Sequence, residues 1–359
     1  MYYSQLPLNR NILMSTLSLK PHYLEKGDTV GLISPAAPLA GLVPHRTDQG
    51  IKMLEELGFK IKIGLNAMNI TGYTAGTAEE RASDINNFFA DPEVKGIVSF
   101  IGGNHSNQIL EYLDFDIIKK NPKVFIGYSD ITVLHLAIYA MTELTTFYGP
   151  AVLTQFAENP AIMEYTKKYF LKAVTQKSPI GVIEQSVEWT DETLNWFTKE
   201  DLQGARQMKL NSGWRWLKSG TAQGKLLGGC LASMMHLRGT KYWPDFEKAI
   251  LFWEISEGEA DFRLGESVST IDAHLTDLEL SGVFTSIQGM IVGRPFGYDS
   301  GQEQKLIEKI LERTKKYSFP ILYGVDIGHT DPMITLPIGV KVMINSDKNI
   351  FEILESGVM

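Results

Sequence analysis

Val124-Phe125-Ile126-Gly127-Tyr128-Ser129-Asp130-Ile131-Thr132 is an apolar run that breaks at Gly127 and hands the chain to a second apolar run, Ile131–Met141, with helical spacing. A buried strand followed at once by a helix is the repeating unit of a parallel sheet with helices on both faces. The alternation extends outward from this stretch. Upstream, strands are expected at Thr29–Ser34, Lys60–Ile63 and Gly96–Ile101, with helices at Thr47–Leu57, Ala78–Phe89 and Asn107–Leu113; downstream comes a short strand at Thr145–Tyr148. The first part of the chain is therefore α/β, a doubly wound and mostly parallel sheet. Ligands bind such sheets beyond the carboxyl ends of the strands, where Ser34, Gly102-Gly103 and Ser129 fall.

A serine at a strand-to-helix junction projects its hydroxyl out of the sheet, beside helix N-terminal N–H groups that can stabilise an oxyanion. Ser129 can thus be a nucleophile. Ser, Asp and Thr in this position also make an ordinary helix N-cap. The hydrolase elbow G-x-S-x-G is incomplete here, because residue 131 is Ile.

The 359 residues are 44% hydrophobic and 21% charged, with a formal net charge of −8, the make-up of a globular chain large enough for two domains. Without a Lys/Arg run, this balance argues against nucleic-acid or anionic-membrane partners and favours a small-molecule or peptide substrate. The single cysteine, Cys230, excludes an intramolecular disulfide and a thiolate zinc site, and its apolar neighbours make it a buried hydrophobe. No HExxH, G-x-G-x-x-G or Walker spacing is present, so neither a metal nor a nucleotide cofactor is expected. Neither a transmembrane run nor a secretory signal is visible, which makes the cytoplasm the expected location.

Residues 1–20 read as an extension, with Met14 as an alternative start, and 21–165 as the α/β domain. From 166 to 220 the alternation fades into a linker and a polar loop bearing Trp189, Trp196, Trp214 and Trp216, either a lid or a hydrophobic tack. A strand at Ile180–Val187 and, before it, a helix at Ala161–Lys172 are expected. Residues 221–359 form a second, β-rich domain with strands at Gln223–Leu227, Ala249–Ile255, Ile287–Val292 and Ile321–Val325, helices at Ser269–Leu280 and Glu303–Tyr317, and antiparallel strands at Leu336–Met343 and Ile350–Leu354.

A serine nucleophile needs a base, and the base an orienting carboxylate. Of seven histidines, His22 lies in the extension, His45 opens a helix, and His135, His236 and His274 lie in helical patterns. His105 sits in a glycine-bearing loop, and His329 follows an apolar strand on a loop flanked by Gly328 and Pro332. His329 is the best-placed base, with a structural histidine as the competing reading. Glu254 closes an otherwise apolar strand and is the best carboxylate, since a charge there needs a partner or a use. Asp326 is the runner-up, although three residues along an extended chain it points away from His329. Glu257, Glu259 and Asp261 read as a solvated charged loop. Gly103 can offer a second oxyanion N–H beside that of Asp130, or simply form a turn.

Together, Ile33-Ser34-Pro35-Ala36, Gly102-Gly103, Gly127-Tyr128-Ser129-Asp130, Phe147-Tyr148-Gly149-Pro150, Gly228-Gly229-Cys230-Leu231, the strand ending in Glu254 and the Gly328-His329 loop resemble the LD-carboxypeptidase family of serine peptidases, family S66, over residues 18 to 357. The resemblance implies Ser129 as nucleophile, Glu254 as triad acid and His329 as base, with the Gly103 and Asp130 N–H groups as oxyanion hole. It further implies a glutamine-amidotransferase-like N-terminal domain, a cleft active site, no cofactor and a homodimer. Gly103-Asn104-His105-Ser106-Asn107 and the Trp loop look most like the microcin C self-immunity branch, which cleaves toxic aminoacyl-nucleotides; there Asn104, Trp196, Trp214 or Trp216 would grip the ligand by contact or stacking. A muramoyltetrapeptide LD-carboxypeptidase of peptidoglycan recycling, and a non-catalytic protein that sequesters a ligand, are the alternatives.

Overall fold

The computed structural model describes residues 18–258 and 261–359. The extension expected over residues 1–20, with Met14, falls outside the described residues up to residue 17, as does Glu259. A first sheet of six strands runs β14-β5-β4-β3-β1-β2, from β1 (Thr29–Ile33), β2 (Lys60–Ile63), β3 (Val94–Ser99), β4 (Val124–Gly127), β5 (Phe147–Tyr148) and β14 (Leu336–Pro337). Strands β1 to β5 are parallel to one another. The apolar residues of β1, β3, β4 and β5 are buried between flanking helices at Pro44–Glu56, Ala78–Ala90, Phe115–Lys120 and Thr132–Thr142, whereas the edge strand β2 is largely exposed. Thr77 and Glu80 form a reciprocal capping box that fixes the start of the Ala78–Ala90 helix.

The second sheet has eight strands in the order β6-β16-β15-β10-β11-β12-β13-β9. They are β6 (Gly181–Val182), β9 (Arg215–Lys218), β10 (Thr221–Cys230), β11 (Ala249–Glu254), β12 (Gly289–Gly293), β13 (Ile321–Val325), β15 (Lys341–Asn345) and β16 (Ile350–Ile353); β7 (Glu188–Trp189) and β8 (Lys209–Leu210) form a separate pair. Its centre, β10 to β13, is parallel, and antiparallel strands close both edges. The carboxyl ends of the two parallel sets face each other. Thr132, at the start of the helix after β4, accepts the Cys230 N–H from the end of β10 at 2.9 Å.

Three expectations need correction. The strand expected over Leu336–Met343 divides: β14 pairs antiparallel with β5 in the first sheet, and β15 pairs with β10 in the second. The expected strand Ile180–Val187 shrinks to β6, because the ladder with β16 holds only Gly181 and Val182, with the Ile183 N–H adding one bond to the Phe351 carbonyl before the chain leaves. The expected helix Asn107–Leu113 is a 3-10 helix, Ser106–Tyr112. No helix among the described residues is long and apolar enough to cross a membrane.

The linker is tacked down by charges. Buried Asp326 receives the Ser186 hydroxyl at 2.6 Å, Arg294 at 2.6 Å and the Trp214 indole N–H at 3.0 Å. Arg206 reaches from the linker to Glu158 of the first domain and to Asp331 of the second. The tryptophans do not cluster with one another. Arg46 stacks on Trp196 at 4.6 Å, Arg294 on Trp189 at 4.8 Å, and Trp216 donates to Asn349 at 2.8 Å.

Candidate active site

Ser129 has φ 61°, in the left-handed region that costs a non-glycine residue about 1–3 kcal/mol. Its side chain caps no helix: the 3-10 turn Ser129–Ile131 has Tyr128 at its N-cap and no side-chain cap hydrogen bond. The serine is half-buried. The N-cap reading therefore fails on geometry, since a capping residue takes an extended φ/ψ and accepts an N–H of its own helix.

The Asp130 carboxylate turns the other way, fully buried, and accepts the N–H groups of His105 and Ser106, both at 2.9 Å. It thereby clamps the loop after β3 against the loop after β4. Arg81 holds the same loop by donating to the Pro35 and His105 carbonyls. The loops touch so closely that a Cβ on Gly102 would lie 3.0 Å from the Asp130 nitrogen and 3.2 Å from the Ser129 hydroxyl oxygen. Gly103 follows with φ 143°, a conformation that favours glycine.

From the second sheet, Glu254 ends β11 fully buried. Its Oε2 is 2.8 Å from His329 Nδ1 and accepts the His329 backbone N–H at 3.3 Å. Its Oε1 accepts the Tyr148 phenol at 2.5 Å, and that phenol oxygen accepts the Ser129 N–H at 3.2 Å. Tyr148 is thus a pin between the serine turn and the carboxylate. Burial first, and then the Glu254 charge, push its pKa well above the ordinary value, so it remains a neutral donor. Gly328, φ 92°, lets the loop pass the carboxylate: a Cβ there would sit 2.3 Å from Glu254 Oε2.

The His329 ring packs 5.0 Å from that of Tyr128, beside the serine. Burial pulls the imidazole pKa down, but the charges of Glu254 and Glu257 outweigh it and hold the value up to about 9. No hydrogen bond joins the Ser129 hydroxyl to the imidazole in this state. Instead Glu257 Oε2 stands 3.1 Å from Nε2.

Ser129, Glu254 and His329, at least 75 residues apart in sequence, are brought to one place. Asp326 does not orient His329; it is spent on Ser186, Arg294 and Trp214. Glu257 is not merely solvated but faces the imidazole. Trp214 is buried and its N–H committed to Asp326, while Trp196 is half-buried on Arg46, which donates to the Leu153 and Thr154 carbonyls. Asn104 is exposed, and His105 lies 4.6 Å from the exposed Tyr73 ring. His135 is buried and structural: its Nε2–H donates to the Gly127 carbonyl and Nδ1 accepts from Thr146, both at 2.9 Å. Sequence reasoning quoted Tyr148 only within the Thr145–Tyr148 strand and the Phe147-Tyr148-Gly149-Pro150 motif and gave it no role at the site.

The opposed parallel strand ends bring together a serine, an imidazole and a carboxylate, the groups a serine-type hydrolase needs, and known proteins supply the family. Residues 30–149 match the LD-carboxypeptidase N-terminal domain and residues 223–344 the LD-carboxypeptidase C-terminal domain. The chain belongs to the LD-carboxypeptidase family of serine peptidases. It is 35% identical to the Microcin C7 self-immunity protein MccF of Escherichia coli, over 92% of this chain and 94% of that protein. It is 32% identical to a probable murein peptide carboxypeptidase of Bacillus subtilis, over 96% of each. The solved structure of MccF in complex with aspartyl sulfamoyl adenosine superposes with a TM-score of 0.87 at 34% identity, covering 95% of this chain and 100% of that one.

Proposed function

We propose that this enzyme hydrolyses an amide bond of a small aminoacyl-nucleotide, with Ser129 as nucleophile, His329 as general base and Glu254 as the carboxylate that orients the base. The observation that carries the reading is the continuous hydrogen-bonded chain from Ser129 N–H through Tyr148 to Glu254 and on to His329. A buried phenol that joins a strained serine turn to a carboxylate–imidazole pair has no simpler use than fixing their mutual geometry.

In the reaction, neutral His329 Nε2 takes the Ser129 proton as the hydroxyl oxygen attacks the carbonyl carbon. The N–H groups of Gly103 and Asp130 receive the oxyanion, and Nε2 returns the proton to the leaving nitrogen as the C–N bond breaks. Water, activated by the same imidazole, then releases the acyl group and frees the serine. The aminoacyl-nucleotide class is favoured by a relative whose structures hold aspartyl sulfamoyl adenosine and glutamyl sulfamoyl guanosine. The murein peptide carboxypeptidase relative supports a muropeptide as the second reading.

The test compares wild type and Ser129→Ala on aspartyl sulfamoyl adenosine and on a muramoyl tetrapeptide. A loss of about 10⁴-fold or more on the better substrate is expected, with the fold intact. Full activity in Ser129→Ala would refute the mechanism; faster turnover of the tetrapeptide would transfer the assignment to the second reading; ligand protection without turnover would make the protein a sequestering one.

A further inference from the structure

Beyond β11 an isolated bridge joins Glu257 to Gly265. Glu257 lies on the side of His329 opposite Glu254, 3.1 Å from Nε2. That approach is at ion-pair distance but off the line of a hydrogen bond, so Nε2 is buried with no hydrogen-bond partner. Nδ1 is committed to Glu254, which leaves Nε2 as the nitrogen that must serve Ser129.

The other groups facing His329 are accounted for. Glu254 is held by Tyr148, Asp331 carries Arg206 and Gln155, and the Tyr128 and Phe296 rings are uncharged. Glu257 differs from both acids. Its side chain is 47% exposed, and among the described residues its ion-pair partner is His329 alone. A carboxylate without a cation of its own therefore looks into the mouth of the site and draws positive charge onto the base.

We propose that Glu257 is a specificity-determining residue that binds a cationic group of the substrate, namely the α-ammonium of an aminoacyl amide, and that this exchange frees His329. The inference rests on the assignment of Ser129, His329 and Glu254 above. In the free enzyme the imidazolium, protonated on both nitrogens, is Glu257's partner. An arriving ammonium takes over that carboxylate, the imidazolium gives its Nε2 proton to water, and neutral Nε2 then accepts the Ser129 proton. A substrate without the cation leaves Glu257 on the base.

Wild type, Glu257→Gln, Glu257→Asp and Ser129→Ala are compared on aspartyl sulfamoyl adenosine and on its N-acetyl derivative, from about pH 6 to about pH 10. Wild type should prefer the free amine by about tenfold or more in kcat/KM, with kcat near pH 7 as well as KM in its favour. In Glu257→Gln the preference should fall below about threefold. The acid limb for the N-acetyl substrate should also move down by about one pH unit, raising its turnover near pH 7 about tenfold; Glu257→Asp should restore part of the preference. An unchanged preference and pH profile in Glu257→Gln, or an equal loss on both substrates, overturns the proposal while inactivity of Ser129→Ala leaves the triad standing. Activity in Ser129→Ala instead removes the triad itself.

Discussion

Replacing Tyr148 with Phe removes one oxygen that does two jobs. The phenol donates to a buried carboxylate at 2.5 Å and accepts the Ser129 N–H at 3.2 Å, inside a fully buried ring. A hydrogen bond to a charged group contributes about 1.5–3 kcal/mol, and an N–H left unsatisfied costs about 1–3 kcal/mol. With the ring's packing retained, the sum is a loss of about 3–5 kcal/mol. Equilibrium unfolding in urea, with the slope unchanged between wild type and variant, reads this directly. The same change releases the serine turn and the Glu254–His329 pair from each other, and a displacement of about 1 Å costs about 100-fold in rate. The variant should therefore lose about 10- to 100-fold in kcat/KM. A loss of less than about 1 kcal/mol together with unchanged turnover would refute the idea that the phenol pins the site.

Three further outcomes are expected. Gly328→Ala places a methyl 2.3 Å from Glu254 Oε2, whereas Gly324→Ala, at φ 78°, meets nothing within 4 Å; the first should lower stability by at least about 2 kcal/mol more than the second in thermal unfolding, and equal losses would deny the close passage. Burial lowers the His135 pKa to about 4, against the opposing pull of the Gly127 carbonyl. The folded value lies below the unfolded one, so the stability is full above about pH 6.5 and is lost, by about 3 kcal/mol, as pH falls to about 4. His329 has the opposite sign, contributing fully below about pH 6.5 and losing its contribution as pH rises through about 9. A stability–pH curve of His135→Gln should lack the acid decline; an unaltered curve would assign it elsewhere. Arg206→Met strands Glu158 and Asp331, both buried, and should destabilise by about 3–5 kcal/mol in the same assay, while a change under about 1 kcal/mol would show the linker is anchored by other contacts.

The alternation around Val124–Thr132 was legible because the central strands β1, β3 and β4 are buried on both faces and a helix follows each one. Ser129, Glu254 and His329 were legible for a related reason: each is a polar residue placed where an apolar strand ends. What escaped notice depends on contacts that no local pattern encodes. Strands of two residues such as β6 and β14 exist only because a partner strand lies alongside. Tyr148 and Glu257 look like ordinary members of their segments until the opposed sheets bring them within reach of Ser129 and His329. Asp326, the runner-up carboxylate despite its spacing, is consumed by Ser186 and Trp214 of the linker and by Arg294.

The antiparallel insertion of Leu336–Pro337 beside β5 has a consequence for biosynthesis. A nascent chain emerges from the ribosome with strands β1 to β5 long before it reaches residue 336, so the edge of β5 stands open for most of translation. Open strand edges are templates for wrong pairing. Closure of the first sheet therefore waits for the part of the polypeptide made after His329, and partial translation products carry Ser129 on an unfinished sheet.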